Sequence, residues 1–394
     1  MSSLFPLAFA AVDKLADELI AIRRDLHAHP ELARQEERTT NLVAKRLEEA
    51  GLRVQMLPQS GLIAEVGRTD GPIVALRADL DALAVDDLTD DPWRSTVPGV
   101  AHACGHDVHT ASLVGTGLAL AQVHAANPLA GCVRLLFQPA EEVMPGGALE
   151  VIATGALDGV RNVFGLHCDP GLDAGQVGLR EGPLTGAADA MTVRLTGRGG
   201  HTSRPHLTQD LTYALATLIT ALPAALSRRL DPRAGVSLVW GTVRSGSAKN
   251  VIPASGEAAG TVRMLDAVAW ADAEELIREL IAQIIAPYGV EAEVDYVRGV
   301  PPVVNETAST HLLAHAVEAV VGEEGHVYTP QSLGGEDFAW YLETVPGAMA
   351  RLGTRTPGGP TYDLHQGDLR VDEAATPIGA KVLAAAALEV LARA

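Results

Sequence analysis

Short apolar runs that lead directly into carboxylates or histidines constrain the fold of this chain more than any other sequence feature. Three runs share this pattern: 73–76 leads to Asp79, 132–137 leads to Glu141 and Glu142, and 162–166 leads to His167. Runs of this length are typical of buried strands, and open α/β sheets bind ligands at the carboxyl ends of their strands. The sequence therefore predicts an α/β sheet with polar side chains gathered along one edge.

A second dense stretch is His102-Ala103-Cys104-Gly105-His106-Asp107-Val108-His109. Cys104 and His106 lie two residues apart, so both side chains project from one face of an extended segment, and Gly105 lets the backbone bend around an ion. A thiolate beside imidazole suits Zn²⁺ or a neighbouring transition ion. Asp107 is placed to cap the buried helix predicted from 110 to 124. Alone, a Cys-x-His pair is weak evidence, so the metal-site prediction depends on further ligands.

Each of the other polar candidates has an alternative explanation. Asp79 is a functional candidate, but a helix cap or a loop carboxylate explains it equally well. Glu141 and Glu142 point in different directions, so one can bind a metal while the other reaches water between metal and substrate; the alternative is a solvated acidic turn. His27 and His29, at the end of the first predicted helix, are interpreted as partners of its negative pole and not as ligands.

Composition narrows the classes of partner and the compartment. The formal charge of −19 argues against a nucleic acid or an anionic membrane surface as partner. Hydrophobic residues make up 47% of the chain and charged residues 20%, as in soluble globular proteins. Cys104, Cys132 and Cys168 are odd in number, which predicts a reducing compartment, the cytoplasm. The apolar start, residues 4–12, lacks a basic region before it and fits neither a signal peptide nor a spanning helix.

A length of 394 residues favours two domains. Residues 187–298 change pattern to the order β-α-β-β-α-β, which predicts an inserted ferredoxin-like domain between catalytic parts 1–186 and 299–394. Pro223 is expected to kink or shorten the first helix of the insert. The insert also offers polar groups from two loops and one strand, and a last candidate lies in a loop ahead of the closing helix 374–394: His201, Asn250, Arg263 and His365.

An ordered set of motifs runs from Arg23 to Glu373: Arg-Ala-Asp-Leu-Asp-Ala-Leu, His-Ala-Cys-Gly-His-Asp, Gln-Pro-Ala-Glu-Glu, Gly-Leu-His, Gly-Gly-His, Asn-Val-Ile-Pro, Gly-Gly-Glu-Asp-Phe and Leu-His. The set resembles the aminoacylase and carboxypeptidase family of metallopeptidases, and more narrowly its hippurate hydrolase and N-acyl-amino-acid amidohydrolase branch. Two positions depart from the family pattern. Gly367 stands where a proline usually follows the last histidine, and Cys168 stands where another residue is usual.

The resemblance implies a di-metal exopeptidase-like catalytic domain, an α/β/α sandwich, with the ferredoxin-like insert acting as a lid and homodimer interface. It implies two divalent transition-metal ions per chain, zinc or manganese first and cobalt or nickel as alternatives. Glu141 would be the general base and acid, and Asp79 would orient a ligand without being one. His201 would reach the partner's site. The implied metal ligands are Cys104, His106, Glu142, His167 and His365, and the implied substrate contacts are His201, Asn250 and Arg263.

The predicted function is metal-dependent hydrolysis of the amide bond in N-acyl amino acids, either hippurate-like or N-acetyl, or in small dipeptide-like amides. A carboxypeptidase or dipeptidase acting on short peptides is the nearest alternative. Two other classes remain open: a hydrolase in which Cys104 is the nucleophile, paired with His102 or His106, and a non-catalytic metal-binding protein. The glutamate pair counts against the first of these, and Glu141 counts against the second.

Overall fold

A computed structural model of the chain describes residues 3–393. Two compact units are present. Unit 1 comprises Met1–Gly182, Val304–Pro330 and Asp337–Ala394, and unit 2 comprises Pro183–Val303 and Gln331–Glu336. The predicted catalytic parts and closing helix include Met1, Ser2 and Ala394, which lie outside the described residues.

The strands, in chain order, are β1 (Arg53–Met56), β2 (Leu62–Gly67), β3 (Ile73–Asp79), β4 (Cys132–Gln138), β5 (Val160–Asp173), β6 (Val177–Leu179), β7 (Gly182–Pro183), β8 (Ala187–Thr196), β9 (Gly200–His201), β10 (Ser237–Ser245), β11 (Val251–Ile252), β12 (Ser255–Met264), β13 (Glu291–Val300), β14 (Val304–Asn305), β15 (His326–Tyr328) and β16 (Gly347–Arg355). The α-helices are α1 (Phe5–Ala28), α2 (Glu37–Glu49), α3 (His106–Ala126), α4 (Ala148–Ala153), α5 (Leu211–Arg229), α6 (Ala267–Ile285), α7 (Thr307–Gly325), α8 (Ala339–Leu342) and α9 (Ala375–Arg393).

Unit 1 is built on an eight-stranded sheet with the order β1-β2-β4-β3-β5-β16-β6-β15. Its centre is parallel, because β3 pairs in parallel with β4 and β5, and β5 with β16. The predicted α/β sheet is therefore confirmed. One predicted strand end is wrong: β5 does not stop near His167 but continues to Asp173. The reason is β16, which stays paired along this segment and places Arg351 opposite His167.

Unit 2 has a four-stranded sheet with the order β10-β12-β8-β13, and all its pairs are antiparallel. With α5 and α6 packed on it, the unit has the predicted ferredoxin-like arrangement. The expected shortening at Pro223 does not occur, since α5 runs through this residue to Arg229. Proline removes only one helical hydrogen bond, and the buried face formed by Leu218, Leu222 and Leu226 holds both halves of α5 in place.

Two helices, α5 and α9, are long and apolar enough to cross a membrane by length and composition alone. In α9, 78% of the most apolar window is buried, since this helix packs against α1, α3 and α7. In α5 the buried share is 33%, and the helix contacts α6 and β12. Core helices of soluble proteins pass the same test, so length and composition are weak evidence of a membrane span.

Helix α3 carries the core of unit 1, and it is buried from His106 to Leu120. It packs against α1 and α9 at small residues. A Cβ added to Gly115 would lie 2.5 Å from Leu19 Cδ1 and 3.1 Å from the Ala380 Cβ. The absence of a side chain at this position therefore sets how closely the three helices approach.

We expect Gly115→Val to destabilise the protein by about 1–3 kcal/mol, because the added methyl groups force Leu19 and neighbouring helices apart. Thermal unfolding measured by circular dichroism checks this. Ala125→Val, at an exposed position of the same helix, is the matched control and should change the midpoint little. Equal midpoints for both variants would show that the α1–α3 contact is not tightly packed.

Candidate metal centre

The turn before α3 places the predicted thiol and imidazole at the start of a buried helix. Gly105 has φ +83°, a left-handed conformation that favours glycine, and an added Cβ would lie 2.7 Å from the Cys168 Sγ. Helix α3 begins at His106, directly after this residue. Both the backbone conformation and the neighbouring thiol therefore require glycine between Cys104 and His106.

Asp107 does not cap α3 as predicted, because Gly105 is the capping residue and Asp107 lies in the first turn. Its buried Oδ2 instead lies 2.7 Å from Arg23 Nε and 2.8 Å from His27 Nδ1. Burial lowers the pKa of His27, but the Asp107 and Asp87 carboxylates together leave that pKa raised. His27 lies in the last turn of α1, near the helix pole, and also contacts these two carboxylates. His29 donates to the Asp25 carbonyl at 2.8 Å.

The five predicted ligand side chains come together within unit 1. The Cys104 Sγ lies 3.6 Å from His167 Nε2, and His365 Nε2 lies 3.4 Å from Glu142 Oε1. His106 Nε2 lies 3.8 Å from the same Glu142 oxygen. In two overlapping groups, all candidate ligand atoms lie within 4.8 Å of one another: Cys104, His106 and His167, and Cys104, Glu142 and His365.

Main-chain carbonyls orient two of these imidazoles. His106 Nδ1 bonds the Asp81 carbonyl at 2.9 Å, and His167 Nδ1 bonds the Cys168 carbonyl at 2.8 Å. A carbonyl can only accept, so both rings carry a proton on Nδ1 and present the Nε2 atom to the centre. This is the arrangement in which neutral imidazole binds a metal.

The pKa values of the ligand side chains are shifted in opposite directions. Burial lowers the pKa of His106, but Asp79 and Cys104 outweigh burial and leave it well above its usual range. Burial lowers the pKa of His167 well below its usual range, and the nearby Arg351 charge lowers it further. Burial raises the pKa of the Cys104 thiol well above its usual range, so without a positive ion beside it this thiol stays protonated. Metal binding deprotonates such a thiol outright.

The cluster passes a direct test of fit to a metal ion. Within residues 3–393, the buried atoms that make no hydrogen bond include His106 Nε2 and Glu142 Oε1, and the nearest cationic atom to the latter is His365 Nε2 at 3.4 Å. A buried unpaired polar atom costs about 1–3 kcal/mol, so these atoms are directed at a further partner. Sulfur, imidazole and carboxylate donors together suit a divalent transition ion.

Hydrogen bonds to the backbone fix the directions of Glu141 and Glu142. The Asp81 carboxylate accepts from the N–H of both residues, at 3.0 and 2.9 Å. Just before them, Ala140 has φ +58°, and its N–H donates to the buried Glu36 carboxylate at 2.8 Å. The predicted divergence of the two side chains is wrong, because Glu141 Oε2 and Glu142 Oε1 lie 3.9 and 3.8 Å from the same His106 Nε2 atom.

Asp81 and Glu36 are functional candidates that the sequence analysis missed. For Asp81 a signal was present, because it lies two residues after Asp79 and alternate residues of an extended segment share a face. For Glu36 no such signal exists, since it precedes α2, far along the chain from Ala140.

Asp79 contacts neighbouring side chains that the sequence analysis did not assign to it. Its Oδ1 accepts from His109 Nδ1 and its Oδ2 from Arg77, each at 2.6 Å. The Oδ2 atom also lies 3.6 Å from His106 Nε2. Burial alone would raise the pKa of Asp79, but its neighbours His106, His109 and Arg77 hold it well below its usual range.

The loop of the last histidine explains the departure at Gly367. A Cβ added there would overlap the Asp86 carbonyl oxygen, and the Gly367 carbonyl accepts from the Leu88 N–H at 2.8 Å. His365 itself has φ +62° and donates its N–H to the Ala103 carbonyl at 2.7 Å. Close backbone contact, and not the rigidity of a proline, holds this loop.

The three predicted substrate contacts lie in unit 2. His201 and Val251 pair across the short β9–β11 ribbon, and the Thr202 N–H donates to the Asn250 carbonyl at 3.3 Å, so His201 and Asn250 are neighbours. Both are exposed. Arg263 lies on β12, where its Nη1 donates to the Leu333 carbonyl at 2.6 Å. No hydrogen bond among the described residues joins Arg263 to the ribbon.

Comparison with known proteins agrees with this geometry. The family described as Peptidase family M20/M25/M40 matches residues 75–389. An N-acetylcysteine deacetylase of Bacillus subtilis is 39% identical over 376 residues, which cover 95% of this chain and 97% of the relative. A solved Bacillus subtilis structure, described as a dinuclear metal-binding peptidase of the M20 family, matches with a TM-score of 0.84 and 36% identity, over 96% of this chain and 99% of that one.

A third relative is longer. It is a Rhodococcus jostii protein whose name assigns it provisionally to the glutamate–cysteine ligases, and it is 50% identical over 369 residues. The match covers 93% of this chain, which spans 46% of that protein's length. The predicted resemblance to the metallopeptidases is confirmed by the family match and by the deacetylase. This chain belongs to the peptidase family M20/M25/M40.

Proposed function

We propose that this chain is a metal-dependent amidohydrolase that cleaves the amide bond of N-acyl amino acids. The observation that carries the proposal is the convergence of five ligand-type side chains around orphaned His106 Nε2 and Glu142 Oε1 atoms, with a second carboxylate, Glu141, at their side. Its Oε2 lies 3.9 Å from His106 Nε2. The name of the Bacillus subtilis deacetylase supports a short acyl group.

Each group of side chains has its own proposed role. Two divalent ions would be held by five ligands: Cys104, His106, Glu142, His167 and His365. When bound, such ions lower the pKa of a coordinated water to about 7 and polarise the carbonyl of the substrate. Glu141 accepts the proton of the water and returns it to the leaving amine, so one carboxylate serves both steps. Asp79 orients a ligand. His201, Asn250 and Arg263 contact the substrate, and Arg263 suits its carboxylate.

The chemistry of the donors supports a choice of ions. We infer zinc or manganese first, because the thiolate and imidazoles suit zinc and the Glu142 carboxylate suits manganese, with cobalt and nickel as alternatives. The three cysteines among the described residues are all free and buried, which supports a reducing compartment, and we place the protein in the cytoplasm.

Two rival functions have less support. A nucleophilic Cys104 would need a lowered thiol pKa and a partner base. Burial raises the pKa of Cys104 and lowers that of His102 to about 4, and His102 has no hydrogen-bond partner within residues 3–393. A non-catalytic metal protein would not require a second carboxylate, Glu141, beside the candidate ligands His106 and Glu142. A carboxypeptidase or dipeptidase differs only in the substrate and would use the same residues.

Metal analysis tests the ligand set. We expect wild-type protein to retain up to two transition ions per chain after dialysis, and the Cys104→Ala/His106→Ala variant to lose at least one, because a thiolate and an imidazole are removed. Cys132→Ala/His124→Ala, which removes the same groups elsewhere in unit 1, is the control. Full occupancy in the first variant would exclude these residues as ligands.

Glu141→Gln separates chemistry from metal binding. Glutamine has the size of glutamate but cannot accept the proton of water, so kcat should fall by about 10²–10⁴-fold, the usual contribution of general acid–base catalysis. Hydrolysis is measured on a panel of N-acyl amino acids. Metal content should stay at the wild-type level, in contrast to Glu142→Gln, which should lose metal. An undiminished rate in Glu141→Gln would remove this residue from the mechanism.

We also propose a homodimer through unit 2, in which His201 serves the partner's site. The edge strand β10 exposes Val239 and Val243, apolar side chains that an edge-to-edge pair would cover. A mixture of Glu141→Gln and His201→Ala chains, each inactive alone, should then regain about a quarter of wild-type activity, because random re-pairing gives half mixed dimers with one intact site each. Light scattering gives the oligomeric state. No recovery after confirmed subunit exchange, or full activity of His201→Ala, would contradict the proposal.

A further inference from the structure

Arg77 is a fully buried charged residue to which the reaction assigns no role. Its guanidinium donates to Asp79 Oδ2 at 2.6 Å, to Asp337 Oδ1 at 2.7 Å and to Gln138 Oε1 at 2.9 Å. None of the arginine and aspartate side chains has more than 1% exposure. The planar, multidentate guanidinium thus fixes the position of the Asp79 carboxylate from the side away from His109.

Asp79, held in this way by Arg77, in turn fixes the orientation of His109. The Asp79 Oδ1 accepts from His109 Nδ1 at 2.6 Å, and His109 Nε2 accepts from the Cys168 N–H at 2.8 Å. An N–H can only donate, so the ring carries its proton on Nδ1 and both nitrogens are used. His109 lies within the 4.8 Å group of Asp79 and His106, but its hydrogen bonds leave it no lone pair for an ion.

The pairing of β5 explains why the Cys168 N–H needs a side-chain acceptor. Strand β3 pairs with β5 up to the Arg77–Gly165 position and no further, while β16 stays paired on the other side. Past that point the β3 side of β5 has no strand partner for its N–H groups. His109, from α3, supplies the acceptor to Cys168, and the carbonyl of this residue accepts from His167 Nδ1.

We propose that Arg77, Asp79 and His109 form a positioning relay that fixes His167 for metal binding. Asp337 and Gln138 accept hydrogen bonds from Arg77 and fix its position. Arg77 donates to Asp79, which accepts from His109. His109 accepts from the Cys168 N–H, and the Cys168 carbonyl orients the His167 ring. The His167 Nε2 atom then faces the Cys104 Sγ, 3.6 Å away. This inference rests on the proposed role of His167 as a ligand, and it assigns to Arg77 and His109 the part of positioning residues.

Two substitutions of His109 test the relay. A glutamine amide offers one donor and one acceptor, as this imidazole does, whereas leucine fills similar space with neither. We expect His109→Leu to weaken metal binding by about 10–100-fold, the usual effect of losing a residue that orients a ligand, and His109→Gln to stay close to wild type. The dissociation constant is measured by competition with a chelator, and the visible spectrum of the Co²⁺ form reports the ligand geometry.

The possible results of the His109 experiment can be told apart. Unchanged metal affinity in His109→Leu would overturn the relay. Equal losses of affinity in both variants would also overturn it, since they would make His109 a ligand or a packing residue. The thermal stability of the metal-free variants shows whether a loss of affinity is a loss of folding. If wild-type protein binds no divalent ion, the proposed function fails, whereas normal metal binding with an insensitive His109 refutes the relay alone.

Arg77→Lys tests the first link. Lysine keeps the charge but, as a point donor, cannot hold Asp79 and Asp337 together. We expect weaker metal binding and a changed Co²⁺ spectrum. Arg134→Lys is the matched control, because Arg134 lies on the adjacent strand β4 and also holds a carboxylate, Glu65, at 2.8 Å. Equal effects of both substitutions would show that Arg77 has only a structural role.

Discussion

Charged groups that have no access to water determine how unit 1 is built. Arg77 lies between Asp79 and Asp337, and Asp107 lies between Arg23 and His27, all of them buried. Removing one partner of such a pair leaves an uncompensated charge in the interior, which costs several kcal/mol. The carboxyl ends of the central strands and the start of α3 are therefore held in one arrangement before any ligand arrives.

The sequence was sufficient to predict what depends on local pattern. Apolar runs ending in polar residues predicted the α/β sheet, and the change of pattern after residue 186 predicted the ferredoxin-like insert. These two features depend on neighbours in the chain, and so a periodicity of two or 3.6 residues reveals them. The extended segment predicted around Cys104 and His106 is wrong, because the left-handed Gly105 forms a turn and α3 begins at His106.

Partners that come from distant segments could not be predicted in this way. Asp107 has the spacing of a helix cap, yet Arg23 and His27 of α1 compete for it. Cys168-Asp169-Pro170 has the composition of a turn, yet pairing with β16 keeps it in a strand. Glu36, just before α2, accepts from the N–H of Ala140, just after β4, although the two residues lie far apart in the chain. In each case tertiary contact outweighed local preference, and sequence spacing does not show such contacts.

The left-handed conformation of Ala140 bears on how the site would work. For a residue with a Cβ, this conformation costs about 1–2 kcal/mol, and the hydrogen bond to Glu36 offsets that cost in the folded chain. This free-energy cost therefore belongs to folding and not to the catalytic step. The backbone of the two glutamates that follow is also held, by Asp81. Under the function proposed above, the proton acceptor would therefore be in place before a substrate binds.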